Sequence, residues 1–391
     1  MENTPQKNAF SVRKYLPRIL AIALLIAVAA SAFTFGVGKL FSAESGYRTV
    51  ECTASEANCA ADFIFTYQLG LSGRSPTAEL RAITDLYNEK AVYYYRLFHA
   101  SEPFADVMNV AALNAAPNTP VEIPAPLFSA LKKMGEDAGR NLFLGPIFAY
   151  YETLFASSFD EDAADWDPAE NPSLKAEYQK TLAFAADDRH IRLDLAKNGT
   201  AQLVVSDEYL AYAKEVGIVT FIDFYWLKNA FIADCIAEDM CAAGFYNGAV
   251  SARDGYIRNT APGDGSYTYD FLDERGGKLT ALGKLTYSGK ASICSLRPFI
   301  LDDTERQFLY IYGNGRRVTR YISGTDGLSR TGGALTVYSA DRSCADLLLS
   351  VLPYYMEDRI SEYEQKDVGV LYSNGETVTH TPADGFLYTE N

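Results

Sequence analysis

Residues 76–98 carry apolar side chains at helical spacing. Leu80, Ile83, Leu86, Tyr87, Val92, Tyr94 and Leu97 follow an approximate 3.6-residue repeat, which predicts one long helix with a buried face. Residues 124–138 predict another, running from a proline start towards Gly139. Past residue 190 strand and turn signals dominate. Residues 191–195 and 201–205 flank Asn198-Gly199, a dipeptide suited to the positive φ angles of a tight hairpin. Residues 308–312 and 317–322 flank Gly313-Asn314-Gly315 in a second hairpin, and 368–372 and 377–380 flank Asn374-Gly375 in a third. Two helices are predicted among these strands: 228–243, ending at Gly244, and 343–352, stopped by Pro353. Residues 157–172 are acidic and proline-bearing but lack the glycine and closing glutamate of a calcium loop, which predicts a solvated insertion. Strand runs interrupted by helices predict an α+β fold, with largely antiparallel or mixed sheets and packed helices.

The first residues follow a different pattern. Residues 19–38 hold no charge and are dominated by Leu, Ile, Ala, Val and Phe. Twenty helical residues span about 30 Å, the thickness of a bilayer's hydrocarbon core. Lys7, Arg13, Lys14 and Arg18 precede the run, which places the N-terminus in the cytosol. Ala30-Ser31-Ala32 also offers a small-residue cleavage site, so a cleaved signal peptide is the competing reading. Either way residues 1–45 are read as a cytosolic N-terminus with a transmembrane anchor or export signal. Residues 46–391 are then one extracytoplasmic domain, membrane-anchored through the N-terminal helix or secreted.

Composition narrows the partners. Hydrophobic residues make up 48% of the chain and aromatics 13%, enough for a substantial core. The formal net charge of −15 argues against nucleic acid, whose phosphates require Lys and Arg. An anionic ligand would need a metal, backbone amides or a helix N-terminus to hold it. All six cysteines follow the apolar run, where an oxidising exterior permits disulfides. Cys52 and Cys59 are spaced to close a short loop. Cys235 and Cys241 on one helix would lie about 9 Å apart along its axis and could not bond.

Motifs for common chemistries are missing. His99, His190 and His380 are scattered, and no zinc signature, nucleophile elbow or phosphate-binding loop is present. Asp346 and Ser350, four apart at the start of a predicted helix, place a carboxylate and a hydroxyl on one face. Two hard oxygens of this kind suit Mg²⁺ shared with substrate phosphate, although an Asp near a helix start also serves as an electrostatic cap.

The order of several segments resembles the FAD:protein FMN transferase family, the ApbE-like flavin transferases. Asn109-Val110-Ala111-Ala112-Leu113-Asn114, then residues 120–131, then Gly145-Pro146 are similar to that family's N-terminal helical region. Ile222-Asp223 through Ala233-Asp234, followed by Gly244, resembles its I-D-(six residues)-K-G-Y-(two residues)-D segment. Residues 320–327 fall where the family has H-(two residues)-D-P-(one residue)-T-G. Thr336-Val337 and Ala345-Asp346-(three residues)-Ser350 resemble V-T-V and A-D-(three residues)-T.

The resemblance implies a T-fold-like domain that moves FMN from FAD, with Mg²⁺, onto a threonine of an extracytoplasmic acceptor flavoprotein. It implies metal ligation by Asp346, Ser350 and the backbone carbonyl of Trp226. It implies flavin-nucleotide contacts by Asp223, Asn229, Arg320 and Ile322. Departures from the pattern are concentrated: Asn229 replaces a lysine, with Lys228 beside it, and Ala230 a glycine. Arg320, Ser323, Gly324 and Asp326 replace the histidine, aspartate, proline and threonine. Arginine stays charged at any relevant pH and is a poor base, so a degenerate flavin-binding or scaffold protein is the alternative implied. The same matching brings Cys294 and Cys344 together near the metal ligands, where it implies a disulfide.

Overall fold

The computed structural model describes residues 43–52, 62–137, 139–263, 265–301 and 303–391. The apolar run 19–38 and Cys59 lie outside the described residues. Among the described residues no helix is long and apolar enough to cross a membrane.

The centre is an eight-stranded antiparallel sheet. In spatial order it runs β1 (Gly46–Glu51), β2 (Phe63–Leu69), β6 (Gly248–Ala252), β7 (Tyr256–Asn259), β10 (Ala291–Leu296), β13 (Ala334–Ser339), β14 (Gly369–Ser373) and β15 (Val378–Thr381). Strands β10 and β13 are buried at every position, because both faces of the sheet are covered. Alternation divides their side chains: Leu335 and Val337 enter the larger core, whereas Ala334 and Tyr338 enter a second one. That second core is closed by a three-stranded antiparallel sheet, β16 (Phe386–Glu390), β9 (Lys278–Ser288) and β8 (Ser266–Arg275), through Phe271, Leu285 and Tyr287. A third small sheet joins β3 (Val121–Glu122), β5 (Thr200–Val205) and β4 (Ile191–Ala196). The hairpin β11 (Leu309–Ile311) and β12 (Arg317–Thr319) stands alone.

The helices are α1 (Pro76–Leu97), α2 (Val110–Ala115), α3 (Ala125–Asp137), α4 (Gly145–Ala156), α5 (Asp160–Asp165), α6 (Pro172–Ala185), α7 (Asp207–Val216), α8 (Lys228–Ala242) and α9 (Cys344–Met356). Helices α1 and α9 each pack against α8, and all three pack against the large sheet. Helix α8 is buried on nearly all sides, its Phe231, Ile232, Ile236 and Met240 filling the layer between α1 and the strands.

One buried carboxylate sets where α9 begins. Asp234 on α8 accepts the backbone N–H groups of Cys344 and Ala345, both at 2.9 Å, so two of the unpaired donors of α9's first turn are satisfied by another helix. The side chain of Ser343 caps a third donor, the N–H of Asp346, at 3.1 Å, and Asp346 returns the bond to Ser343.

The predicted hairpins and both long helices are present at nearly the predicted bounds. Three expectations need correction. Helix α9 is not stopped by Pro353 but continues to Met356. Proline costs the Leu349 carbonyl its donor, yet Tyr355 and Met356 are buried beyond it, and their packing carries the helix through. Residues 157–172 are largely exposed, as expected, but are more than a solvated insertion. Helix α5 lies there; Asp160 accepts hydrogen bonds from Tyr310 Oη and the Gly313 N–H, and buried Asp167 accepts one from Tyr312 Oη while pairing with Arg316. Cys294 and Cys344 are neighbours but not bonded: each thiol donates to a carbonyl, Cys294 to that of Cys344 at 3.2 Å and Cys344 to that of Ile257 at 3.3 Å. Cys235 and Cys241 are free thiols on α8, as expected.

Burial pushes the Asp234 carboxyl up to about 6, against the opposing pull of the Ala345 and Cys344 N–H groups. The unfolded chain releases this proton near the ordinary aspartate value of about 4. Between these two values the folded state holds a proton that the unfolded state does not. This group therefore makes stability rise as pH falls from about 6 towards 4. Urea unfolding of wild type and Asp234→Asn across that window should show the rise in wild type and a flatter profile in the variant.

Candidate functional site

The start of α8 faces a cavity of ≈ 390 Å³. Asn114 fixes the approach to it: buried on α2, its Oδ1 accepts the N–H groups of Phe221 and Ile222 at 3.0 Å, and its amide donates to the carbonyls of Ala100 and Ile222. The chain then turns sharply. Asp223 accepts the Tyr225 N–H at 2.7 Å, and Tyr225 adopts φ 47°, a left-handed conformation that costs a bulky residue energy. The turn is held by stacking of Tyr225 on Phe148, 4.4 Å between ring centroids, and it brings Tyr225 and Trp226 into the cavity wall. Tyr95 of α1, Phe155 of α4 and Phe308 extend this aromatic lining.

The floor is a buried polar cluster drawn from three separate stretches of chain. Arg320 donates to Oδ2 and to the backbone carbonyl of Asp254, at 3.2 and 2.9 Å, and Asn229 donates to the same Oδ2 at 2.9 Å. The guanidinium also lies over the Phe308 ring at 4.4 Å. Burial raises the Asp254 pKa even with Arg320 beside it, and its Oδ1 is buried without a hydrogen-bond partner. The hydroxyl of Tyr225 is a second buried polar atom without one. Two buried polar atoms without partners thus lie on residues that line this cavity.

Further charge lies around the opening. Asp62 and Glu152 line the cavity; burial raises both, and for Glu152 the nearby Asp223 adds to the shift. Lys228 opposes these shifts, with its ammonium 5.7 Å from the centre of the Tyr95 ring. Among the described residues no group of three or more His, Cys, Asp or Glu side chains is arranged to hold a metal ion.

Several solved structures share this architecture over nearly the whole described chain. The ApbE protein of Thermotoga maritima aligns with a TM-score of 0.58 and 13% identity, covering 86% of this chain and 97% of that one. The flavin transferase ApbE of Vibrio cholerae aligns at 0.54 and 12%, covering 88% and 98%. The apo flavinyl transferase ApbE of Pseudomonas stutzeri aligns at 0.53 and 11%, covering 88% and 96%. The chain has the flavin transferase fold. No protein-family model and no curated protein matches its sequence.

On the flavin transferase fold the residues singled out by sequence divide into two groups. Trp226, Asn229 and Arg320 meet at the cavity. Asp223 stands behind it, half-buried, where its charge acts on Glu152. Ile322 is buried in the core, with its backbone in an isolated bridge to Ser329, and does not line the cavity. Asp346 and Ser350 are not brought to it either. They line a separate depression with Glu136 and Arg342. Helix α9 starts at Asp234, eight residues beyond Trp226, or about 12 Å along the helical axis.

The three implied Mg²⁺ donors are also already engaged. Asp346 pairs with the Lys133 ammonium and with Ser343. Ser350 Oγ donates to the Leu347 carbonyl and shares a hydrogen bond with Tyr363 Oη, both at 2.8 Å. The Trp226 carbonyl accepts from Tyr256 Oη at 3.4 Å. Mg²⁺ requires its ligands on one octahedron at about 2.1 Å, and this set does not fit one.

Asp62, Glu152 and Asp254 were missed from sequence. Glu152 had a signal, as the only charged residue in the otherwise apolar α4. Asp254-Gly255 reads as a turn, and nothing local distinguishes Asp62.

Removing Arg320 leaves Asp254 buried and uncompensated, so Arg320→Met should cost about 3–5 kcal/mol at neutral pH. Without its partner the carboxyl titrates still higher, and the penalty is relieved as pH falls through that raised value. Urea unfolding should therefore show a smaller deficit at pH 5 than at pH 8, and the double variant Arg320→Met/Asp254→Asn should recover part of the loss at both.

Proposed function

We propose that this protein is a flavin transferase that takes FAD in the cavity at the start of α8 and passes FMN to a threonine of an extracytoplasmic flavoprotein, releasing AMP. One observation carries the reading. Trp226, Asn229 and Arg320, positions that the family resemblance drew from distant stretches, converge on one cavity in a chain with the flavin transferase fold. The aromatic lining offers flat apolar surface to an isoalloxazine ring. Positive charge for phosphate falls to Lys228, since the Arg320 guanidinium is committed to Asp254.

In the transfer the threonine oxygen bonds to the FMN-side phosphorus, the bond from that phosphorus to the AMP oxygen breaks, and the threonine proton must be accepted. Arg320 cannot accept it. Glu152 can: it lines the cavity, and its raised proton affinity suits a general base better than an ordinary carboxylate. No step is assigned to Mg²⁺, because its implied donors are dispersed. The proposed setting is outside the cytosol, with residues 19–38 as the anchor or export signal.

A second reading, flavin binding without transfer, is favoured by the locking of Arg320 onto Asp254, which leaves the family's histidine position without acid-base capacity. Incubation with FAD and a threonine-bearing acceptor decides between them. Transfer predicts covalent flavin fluorescence on the acceptor and one AMP per label; binding alone predicts bound flavin and no AMP. Under the transfer reading Glu152→Gln should slow labelling about 10²-fold or more with little change in FAD affinity. The wild-type rate should rise with pH through the raised Glu152 pKa and then level, because the base works only when deprotonated.

A further inference from the structure

The start of α9 is where the resemblance places a divalent cation and where the structure places a lysine. Lys133 on α3 reaches across to Asp346 and pairs with one oxygen of its carboxylate, while the other oxygen serves Ser343. The same ammonium lies 3.3 Å from Asp137, one helical turn along α3, so one cation bridges two carboxylates. We propose that the Lys133 ammonium takes the place of the divalent cation at the start of α9, so that this position holds no metal. The inference rests on the flavin-transferase reading only for the identity of the position.

Charge and geometry support it together. The depression is lined by the carboxylates Glu136, Asp137 and Asp346 and by Arg342, and their ion-pair partners beside it bring the set to four carboxylates, with Asp367, and three cations. Lys132 pairs with Glu136, Lys133 with Asp137 and Asp346, and Arg342 with Asp367. One negative charge is left over, too little for a dication that must also shed tightly bound water. A metal would need to displace the ammonium from Asp346 and free Ser350 from Tyr363 and the Leu347 carbonyl. Lysine requires none of that. Its side chain is only 30% exposed, so its stem packs against protein while its head does the pairing. The arrangement also explains how Asp346 keeps its capping role: the carboxylate stays at N3 of α9 whatever the metal supply.

The test uses the full chain without flavin. Binding of Mn²⁺ is followed by electron paramagnetic resonance, and thermal unfolding is compared in EDTA and in excess Mg²⁺. Wild type should bind no Mn²⁺ and show the same Tm in both solutions. Lys133→Met should expose Asp346, bind one Mn²⁺, and gain about 3 °C or more in Mg²⁺ at a hundredfold excess over Kd. Adding Asp346→Asn should abolish both effects, and Lys133→Arg, which keeps a cation there, should behave as wild type. Wild-type binding of one Mn²⁺ that Asp346→Asn removes would overturn the proposal, as would a folded Lys133→Met that binds none. A parallel titration of FAD in EDTA separates the two ideas: failure to bind flavin undermines the functional reading and leaves the metal result standing.

Discussion

The buried pair of Arg320 and Asp254 is the constraint around which the site is organised. It joins the residue following β12 to the turn between β6 and β7, and Asn229 adds the beginning of α8 to the same carboxylate. With side-chain exposures of 5% and 1%, neither charge can be left alone. Desolvating both is expensive, and their attraction returns that energy only while the geometry holds. Any movement of α8 against the sheet, or of the β11–β12 hairpin against α8, therefore strands a charge in the interior. The cavity above keeps its shape because its floor has no inexpensive alternative. Asp234, which ties α8 to the first turn of α9, extends the same logic one helix further.

Elements governed by local chemistry were legible in the sequence; contacts between distant carboxylates were not. Asn198-Gly199 and Asn374-Gly375 announce their hairpins through the glycines, whose φ angles of 83° and 92° few other residues accept. The apolar repeat from Leu80 to Leu97 announces α1 because one face of a helix must be buried. Pro353 misled because proline's local cost does not include the burial of Tyr355 and Met356 beyond it. Residues 157–172 are as exposed as their composition suggests, but their anchoring was not legible, because buried Asp167 looks solvated until Tyr312 and Arg316 arrive as partners. The site shows the same division. Trp226, Asn229 and Arg320 were found through ordered resemblance, whereas Asp254 and Asp62 gain meaning only when the sheet places them beside Arg320 and Lys228. Asp346 and Ser350 match the motif but lie elsewhere, since a four-residue spacing specifies a shared helical face and not what that face meets.

Strain and charge at the cavity point the same way. Tyr225 occupies a backbone conformation that glycine would adopt at less cost. A glycine there would remove the ring stacked on Phe148 and with it part of the cavity wall. Strain of this kind persists when surrounding packing over-determines it, and here Asp223, Phe148 and Asn114 do so from three sides. The polar groups of the cavity then divide the work. Arg320 and Asn229 hold Asp254 and are spent on structure, while Lys228 and Glu152 line the cavity and keep capacity for something outside the chain. A purely structural cluster would consume all its members in mutual pairing. This one leaves a cation and a carboxylate of raised proton affinity beside an aromatic slot, a set that suits a ligand with a flat ring, a phosphate and an oxygen to be reached.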